Sequence, residues 1–287
     1  EGYCGGYAGV TERIADMGFI CRITPKQIVG VFQEIRIRRP LIHMIPNTVS
    51  AALCADGLSA LGARPLMALA EQEMAEITQQ ADGSVINLGQ PDLNKWKAAR
   101  LVLREAAKLK KPLVLDPVGC GASDFRLKFV QELMSLPWEG IVKGNGSEIY
   151  SIQRNQLTRE GVDAVAKRNL SGNIPGGRVY LVTGKTDLIF WGKNSMELSY
   201  GGKRYPEESG RCNIVGSGCL MGALAGACHS VVQAETAAVA ASFGMAYSLE
   251  RAAQASGYGK AKTALLDALC GLSEKEFECW LKQRLQE

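Results

Sequence analysis

Short apolar runs that end in polar turns alternate with helix-length amphipathic stretches, and this constrains the chain more than any other feature. Ser84-Val85-Ile86-Asn87-Leu88 is a run closed by Gly89, the pattern of a buried strand. Residues 94–110 follow, with Trp96, Ala99, Val102, Leu103, Ala106 and Leu109 at helical spacing. Lys111-Pro112 ends that helix, and Leu113-Val114-Leu115 reads as the next strand, stopped by Asp116-Pro117. The same alternation predicts a helix near 124–135, a strand at 140–143, a helix opening around Ser147-Glu148, a helix near 160–170 and a strand at 178–183. Such a series implies an α/β fold with a mainly parallel central sheet and helices on both faces. Residues 187–191 and 196–200 read instead as an antiparallel hairpin, and helices are expected at 218–232, 234–255, 261–270 and 273–286. Residues 1–22 hold five glycines and little periodicity and read as a variable extension. No Pro- or Ser-rich linker divides the rest, so residues 23–287 are expected to form a single domain.

Composition narrows the function. A net charge of +4 and basic clusters without interleaved aromatics (Arg36, Arg38, Arg39; Lys108, Lys110, Lys111) argue against nucleic acid as a partner. No apolar stretch reaches membrane-spanning length. The nine cysteines include no CxxC, and His43 and His229 are the only histidines, so a structural zinc site is not expected. Dispersed cysteines in apolar surroundings point to a reducing compartment, hence the cytoplasm.

Parallel sheets place ligands outside the carboxyl ends of their strands. The polar groups expected there are Asn87-Leu88-Gly89, Asp116-Pro117-Val118-Gly119, Lys143-Gly144-Asn145-Gly146-Ser147-Glu148 and Thr183-Gly184. Two carboxylates, a cation, an amide and a hydroxyl on one rim suit a magnesium–nucleotide site. Each alone is as readily a turn or a helix cap; four together favour the site. Gly216-Ser217-Gly218-Cys219-Leu220-Met221-Gly222 precedes a long apolar helix, where small residues and first-turn N–H groups can hold a phosphoryl group. The alternative readings there are close helix packing for the glycines and a buried small side chain for Cys219. Gly184-Lys185-Thr186 ends like a P-loop, but Val179 replaces the first glycine and the segment runs into a strand.

Taken in order, these segments resemble the hydroxyethylthiazole kinase family. Asn47 with Gly57-Leu58-Ser59-Ala60-Leu61-Gly62-Ala63-Arg64-Pro65-Leu66-Met67-Ala68 is similar to the family's substrate segment. Asp116-Pro117-Val118-Gly119-Cys120-Gly121-Ala122, Lys143-Gly144-Asn145-Gly146-Ser147-Glu148, Val182-Thr183-Gly184 and Val215-Gly216-Ser217-Gly218-Cys219 resemble its further motifs. The resemblance implies a ribokinase-like three-layer α/β/α sandwich, commonly a homotrimer with sites at subunit interfaces. It implies transfer of the ATP γ-phosphate to the primary alcohol of 4-methyl-5-(2-hydroxyethyl)thiazole in thiamin salvage. By that resemblance Asn47, Met67 and Gly216 contact the acceptor, Gly216 also facing the phosphate. Lys143, Asn145, Thr183 and Gly218 bind ATP, and Asp116 and Glu148 organise Mg²⁺. Cys219 stands where most ribokinase-like enzymes carry an aspartate base. Arg64 replaces a small residue and has three open placements: paired with Asp56, reaching the pocket, or exposed with no partner.

Overall fold

The computed structural model describes residues 23–158, 177–198 and 214–285. Its elements run α1 (Pro25–Arg38), β1 (Leu41–Ile45), α2 (Ala51–Leu61), β2 (Arg64–Met67), α3 (Met74–Gln80), β3 (Gly83–Asn87), α4 (Leu93–Leu109) and β4 (Leu113–Asp116). They continue α5 (Asp124–Ser135), β5 (Gly140–Asn145), α6 (Gly146–Arg154), β6 (Arg178–Thr183), β7 (Asp187–Trp191) and β8 (Asn194–Leu198). Last come α7 (Ser217–His229), α8 (Ala234–Ala253), α9 (Tyr258–Cys270) and α10 (Lys275–Arg284). All eight strands join one sheet in the order β2-β1-β3-β4-β5-β6-β7-β8. Pairing is parallel from β2 to β6 and antiparallel for β6–β7 and β7–β8.

Alternate residues of each central strand feed two cores, as the period of two requires. Met44, Val85, Val114, Ile141 and Leu181 pack with α1, α2 and α7–α10 on one face. Ile45, Ile86, Leu115, Val142 and Tyr180 pack with α3–α6 on the other. This is the expected three-layer α/β/α arrangement. Fully buried side chains such as Phe32, Phe129 and Phe277 each contribute about 1.5–3 kcal/mol through burial. Local signals set the helix ends: Thr24 and Gln27 form a capping box for α1, and Asp92 caps α4 through the Lys95 N–H.

The expected strands and helices between 83 and 154 fall within a few residues of those observed, as do β6 and the four last helices. The hairpin's second strand starts earlier, at Asn194, because a tight turn links it to Trp191. The expected helix near 160–170, Ser199-Tyr200 and the extension 1–22 lie outside the described residues. Among the described residues, no helix is long and apolar enough to cross a membrane.

Because β1 and β3–β6 are parallel, their carboxyl ends share one edge. The segments beginning at Asn47, Leu88, Asp116, Lys143 and Thr183 therefore meet there although they span much of the sequence. The start of α7 is drawn onto the same edge by small residues. A Cβ at Gly226 would lie 2.3 Å from Val85 Cγ2, and one at Gly222 3.2 Å from Asp116 Oδ2. Close packing and the candidate phosphate turn are thus two consequences of one glycine pattern.

Candidate active site

At the centre of the rim Asp116 ends β4 with no exposed surface. Its Oδ2 accepts from Asn87 Nδ2 at 3.0 Å, and its Oδ1 lies 3.2 Å from Lys143 Nζ. Burial pushes the Asp116 carboxyl up to about 7, with Lys143 pulling it down and Glu148 adding to the rise. Burial lowers the Lys143 ammonium, but Asp116, Glu148 and Cys219 together outweigh it and leave the group raised. The pair is a buried cation and carboxylate that hold each other in place.

Lys143 also faces the turn before α7. A Cβ built on Gly218 would stand 3.6 Å from Lys143 Nζ. Gly216 caps α7 at φ +89°, a left-handed conformation that any side chain would strain. The helix's first main-chain bond within this turn runs from the Leu220 N–H to the Gly216 carbonyl at 2.8 Å. The Gly218 and Cys219 N–H groups precede it, where a helix start offers no intrahelical acceptor. Cys219 is 8% exposed, and its Sγ lies 3.9 Å from Asn47 Nδ2. Asn47 Oδ1 accepts from the Val49 N–H at 3.1 Å, which fixes the amide's orientation.

Glu148 and Asn145 form a capping box at the start of α6. Glu148 Oε2 accepts from the Asn145 N–H at 2.8 Å, and its Oε1 accepts from the Gly119 N–H at 2.8 Å. Asn145 Oδ1 in turn accepts from the Glu148 N–H at 2.9 Å. The Asn145 side-chain oxygen thus serves as the helix cap. Glu148 ties the Asp116–Gly119 loop to β5 as well as facing the rim. Thr183, paired with Asn145 across β5 and β6, donates from Oγ1 to the Gly144 carbonyl at 3.4 Å. Met67 is placed differently, half-buried beside Met44 at the end of edge strand β2.

Arg64 follows none of its three placements fully: it is exposed, as the third had it, but has a partner. It opens β2 opposite Leu41, at the end of the strand away from Met67, and donates from Nε to the Arg39 carbonyl at 2.8 Å. It neither pairs with Asp56 nor reaches the rim. Two cations that sequence reasoning passed over lie nearer. Arg126 Nη1 donates to the Val118 carbonyl at 3.2 Å, and Lys95 Nζ donates to the carbonyls of Pro46 and Gly89. The available signal for Lys95 was its place, a cation in the first turn of a helix where the dipole disfavours it.

Among the described residues, no three His, Cys, Asp or Glu side chains group as a metal site. Two carboxylates beside a phosphate turn fit Mg²⁺, which keeps waters and shares phosphate oxygens, better than they fit a metal caged by protein alone.

A three-layer sheet of this order, with a glycine turn and helix start closing onto a buried carboxylate–cation pair, has the ribokinase-like α/β fold. The fold is similar to that of a ribokinase-like superfamily protein from Enterococcus faecalis, with a TM-score of 0.56 and 11% identity over 85% of this chain and 94% of that one. The chain belongs to the hydroxyethylthiazole kinase family, whose sequence model matches residues 32–275. It is 37% identical over 254 residues to a hydroxyethylthiazole kinase from Exiguobacterium, covering 85% of this chain and 94% of that one. The hydroxyethylthiazole kinase structure from Pyrococcus horikoshii superposes with a TM-score of 0.72 at 32% identity, covering 85% of this chain and 92% of that one.

Proposed function

We infer that this chain is an ATP-dependent kinase that phosphorylates the primary alcohol of 4-methyl-5-(2-hydroxyethyl)thiazole in thiamin salvage. The observation that carries the site assignment is the convergence of Asp116, Lys143 and Gly218 on one side with Cys219 and Asn47 on the other. A phosphate site and an acceptor site thus meet at the first turn of α7.

In this reading the acceptor lies against Asn47, Met67 and Gly216, with its hydroxyl toward Cys219 Sγ. Lys143, Asn145, Thr183 and Gly218 hold the nucleotide's phosphates. Asp116 and Glu148 would hold Mg²⁺, which would neutralise phosphate charge when bound. The acceptor oxygen forms a bond to the γ-phosphorus as the bond to the bridging oxygen breaks, and ADP leaves. The Gly218 and Cys219 N–H groups and Lys143 receive the charge on the transferred group. Cys219, entering the step as its thiolate, accepts the hydroxyl proton and becomes the thiol. A loose transition state asks little of that base, so positioning and charge neutralisation carry most of the rate.

Residues 23–287 form one kinase domain in this reading, and the protein acts as a homotrimer. Met67 at the end of an edge strand supports a site completed by a neighbouring subunit. The buried free thiols of Cys54, Cys120 and Cys228 suit a reducing cytoplasm.

The test is ADP release with MgATP against hydroxyethylthiazole, hydroxymethylpyrimidine and pyridoxal. Turnover confined to hydroxyethylthiazole is expected. Turnover only with another alcohol would keep the phosphate site and overturn the acceptor. A folded chain that binds MgATP but turns over none of them would be a homologue without activity.

A further inference from the structure

The loops after β1 and β3 are joined by a buried cation that the mechanism above does not use. Lys95, in the first turn of α4, is 3% exposed. A charge there is disfavoured twice, by loss of water and by the positive end of the helix dipole. Burial accordingly lowers the Lys95 ammonium from its ordinary value, with Asp92 opposing the shift. Two main-chain acceptors offset the cost: Nζ donates to the Pro46 carbonyl at 2.8 Å and to the Gly89 carbonyl.

Both carbonyls belong to the acceptor side of the rim. Pro46 immediately precedes Asn47. Gly89 lies so close to the Asn47 side chain that a Cβ on it would stand 2.2 Å from Asn47 Nδ2. The Gly89 N–H donates to Asn87 Oδ1 at 2.9 Å, and Asn87 Nδ2 donates to Asp116 Oδ2 at 3.0 Å. One ammonium thus links the residue beside Asn47 to a ladder that ends on Asp116. Without it, the buried Gly89 carbonyl and the carbonyl of half-buried Pro46 would lose a charged donor, and the two loops would lose the bond that joins them.

We propose that Lys95 is a positioning residue that sets the separation between Asn47 and the Asn87–Asp116 pair, and thereby acceptor affinity. The proposal rests on the assignment of Asn47 and Cys219 to the acceptor pocket.

The test compares full-length wild type, Lys95→Met and Lys95→Arg by steady-state kinetics and by amide hydrogen exchange. Lys95→Met is expected to raise the acceptor KM roughly tenfold or more while the KM for MgATP stays within about twofold. Exchange should quicken at Val49, Ser50 and Gly89, whose N–H groups are bonded within the two loops, and not in β4 or β5. Lys95→Arg, which keeps charge and donors, should move the acceptor KM back toward wild type. A merely structural lysine would shift both KM values together or neither, and that result overturns the proposal. So does unchanged exchange at the three amides. If the Met variant fails to fold, Lys95→Gln, uncharged and shorter, is read in its place by the same criteria. If the wild type phosphorylates no alcohol, the acceptor assignment falls separately, and exchange alone decides whether Lys95 holds the loops.

Discussion

Lys143 Nζ lies 3.2 Å from Asp116 Oδ1, the two side chains being 5% and 0% exposed. Each is the other's counter-ion where water does not reach, and the same ammonium faces Gly218 at the start of α7. If Lys143 meets phosphate as proposed, Asp116 is what compensates its charge when no phosphate is there.

Removing one partner should cost more than removing both. Lys143→Met strands a buried carboxylate and is expected to lower stability by about 3 kcal/mol. Adding Asp116→Asn should recover part of that loss, a coupling that urea unfolding of the two single variants and the double variant will measure. Strictly additive losses would mean that the two charges do not stabilise each other. Activity should fall at least about 100-fold in Lys143→Met if, as proposed, Lys143 is the cation that meets the phosphoryl group.

Gly216 and Gly218 should separate folding from chemistry. A Cβ at Gly216 would meet Ser50 Cβ at 2.8 Å, at a backbone φ of +89°. Gly216→Ala is thus expected to lose about 1–3 kcal/mol of stability. A Cβ at Gly218 meets only Lys143 Nζ, at the ordinary distance of 3.6 Å. Gly218→Ala should therefore melt like wild type but show a raised KM for MgATP, because its methyl occupies space assigned to phosphate.

Cys219→Ala is expected to lower kcat about 10- to 100-fold with little change in the KM for MgATP, a loss typical of a modest base. Full turnover in this variant would remove Cys219 from the mechanism. Labelling offers an independent check on the other thiols. Burial pushes Cys54 and Cys120 up to about 12 and raises Cys228 further, whereas Cys270 and Cys279 are exposed. Iodoacetamide at mildly alkaline pH should modify Cys270 and Cys279 in the native protein and spare Cys54, Cys120 and Cys228, as read by mass spectrometry of peptides.

Acid should destabilise the fold through His43. The ring is fully buried in β1, its Nε2 pairs with the Ala68 carbonyl at 3.2 Å, and its Nδ1 has no hydrogen-bond partner. Burial lowers this imidazole from 6.5, so between that value and its folded one the unfolded chain binds the extra proton. Stability is then complete above pH 6.5 and declines as pH falls below it toward the lowered value. His43→Gln, which cannot titrate, should flatten that decline in melts recorded across this range. An unchanged slope would assign it to other groups, His229 among them, which burial also lowers.

The part of the fold legible in sequence was the part written in local pattern. From residue 83 onward, apolar runs and helical spacing marked each described element within a few positions. The first two strands and the first three helices, all before that point, were not marked out. β1 carries a polar His43 at a buried position, and β2 is four residues long with Pro65 inside it, which an edge strand tolerates. Helix α2 contains Gly57, a poor helix former, because a Cβ there would lie 2.3 Å from Leu220 Cδ1. That close approach exists only once α7 has packed.

By itself the sequence determined the strand–helix alternation, and hence a parallel sheet whose carboxyl ends gather Asp116, Lys143, Glu148 and Thr183 on one rim. It also determined the glycine turn before α7. These follow from periodicity and backbone stereochemistry, which act over a few residues. Only the tertiary structure decided the partners: Lys143 against Asp116, Cys219 against Asn47, the Asn145 Oδ1 in a helix cap, Arg64 turned away, and Lys95 between two loops. Those contacts join residues brought together by sheet register and helix packing, and no local pattern encodes the distance between them.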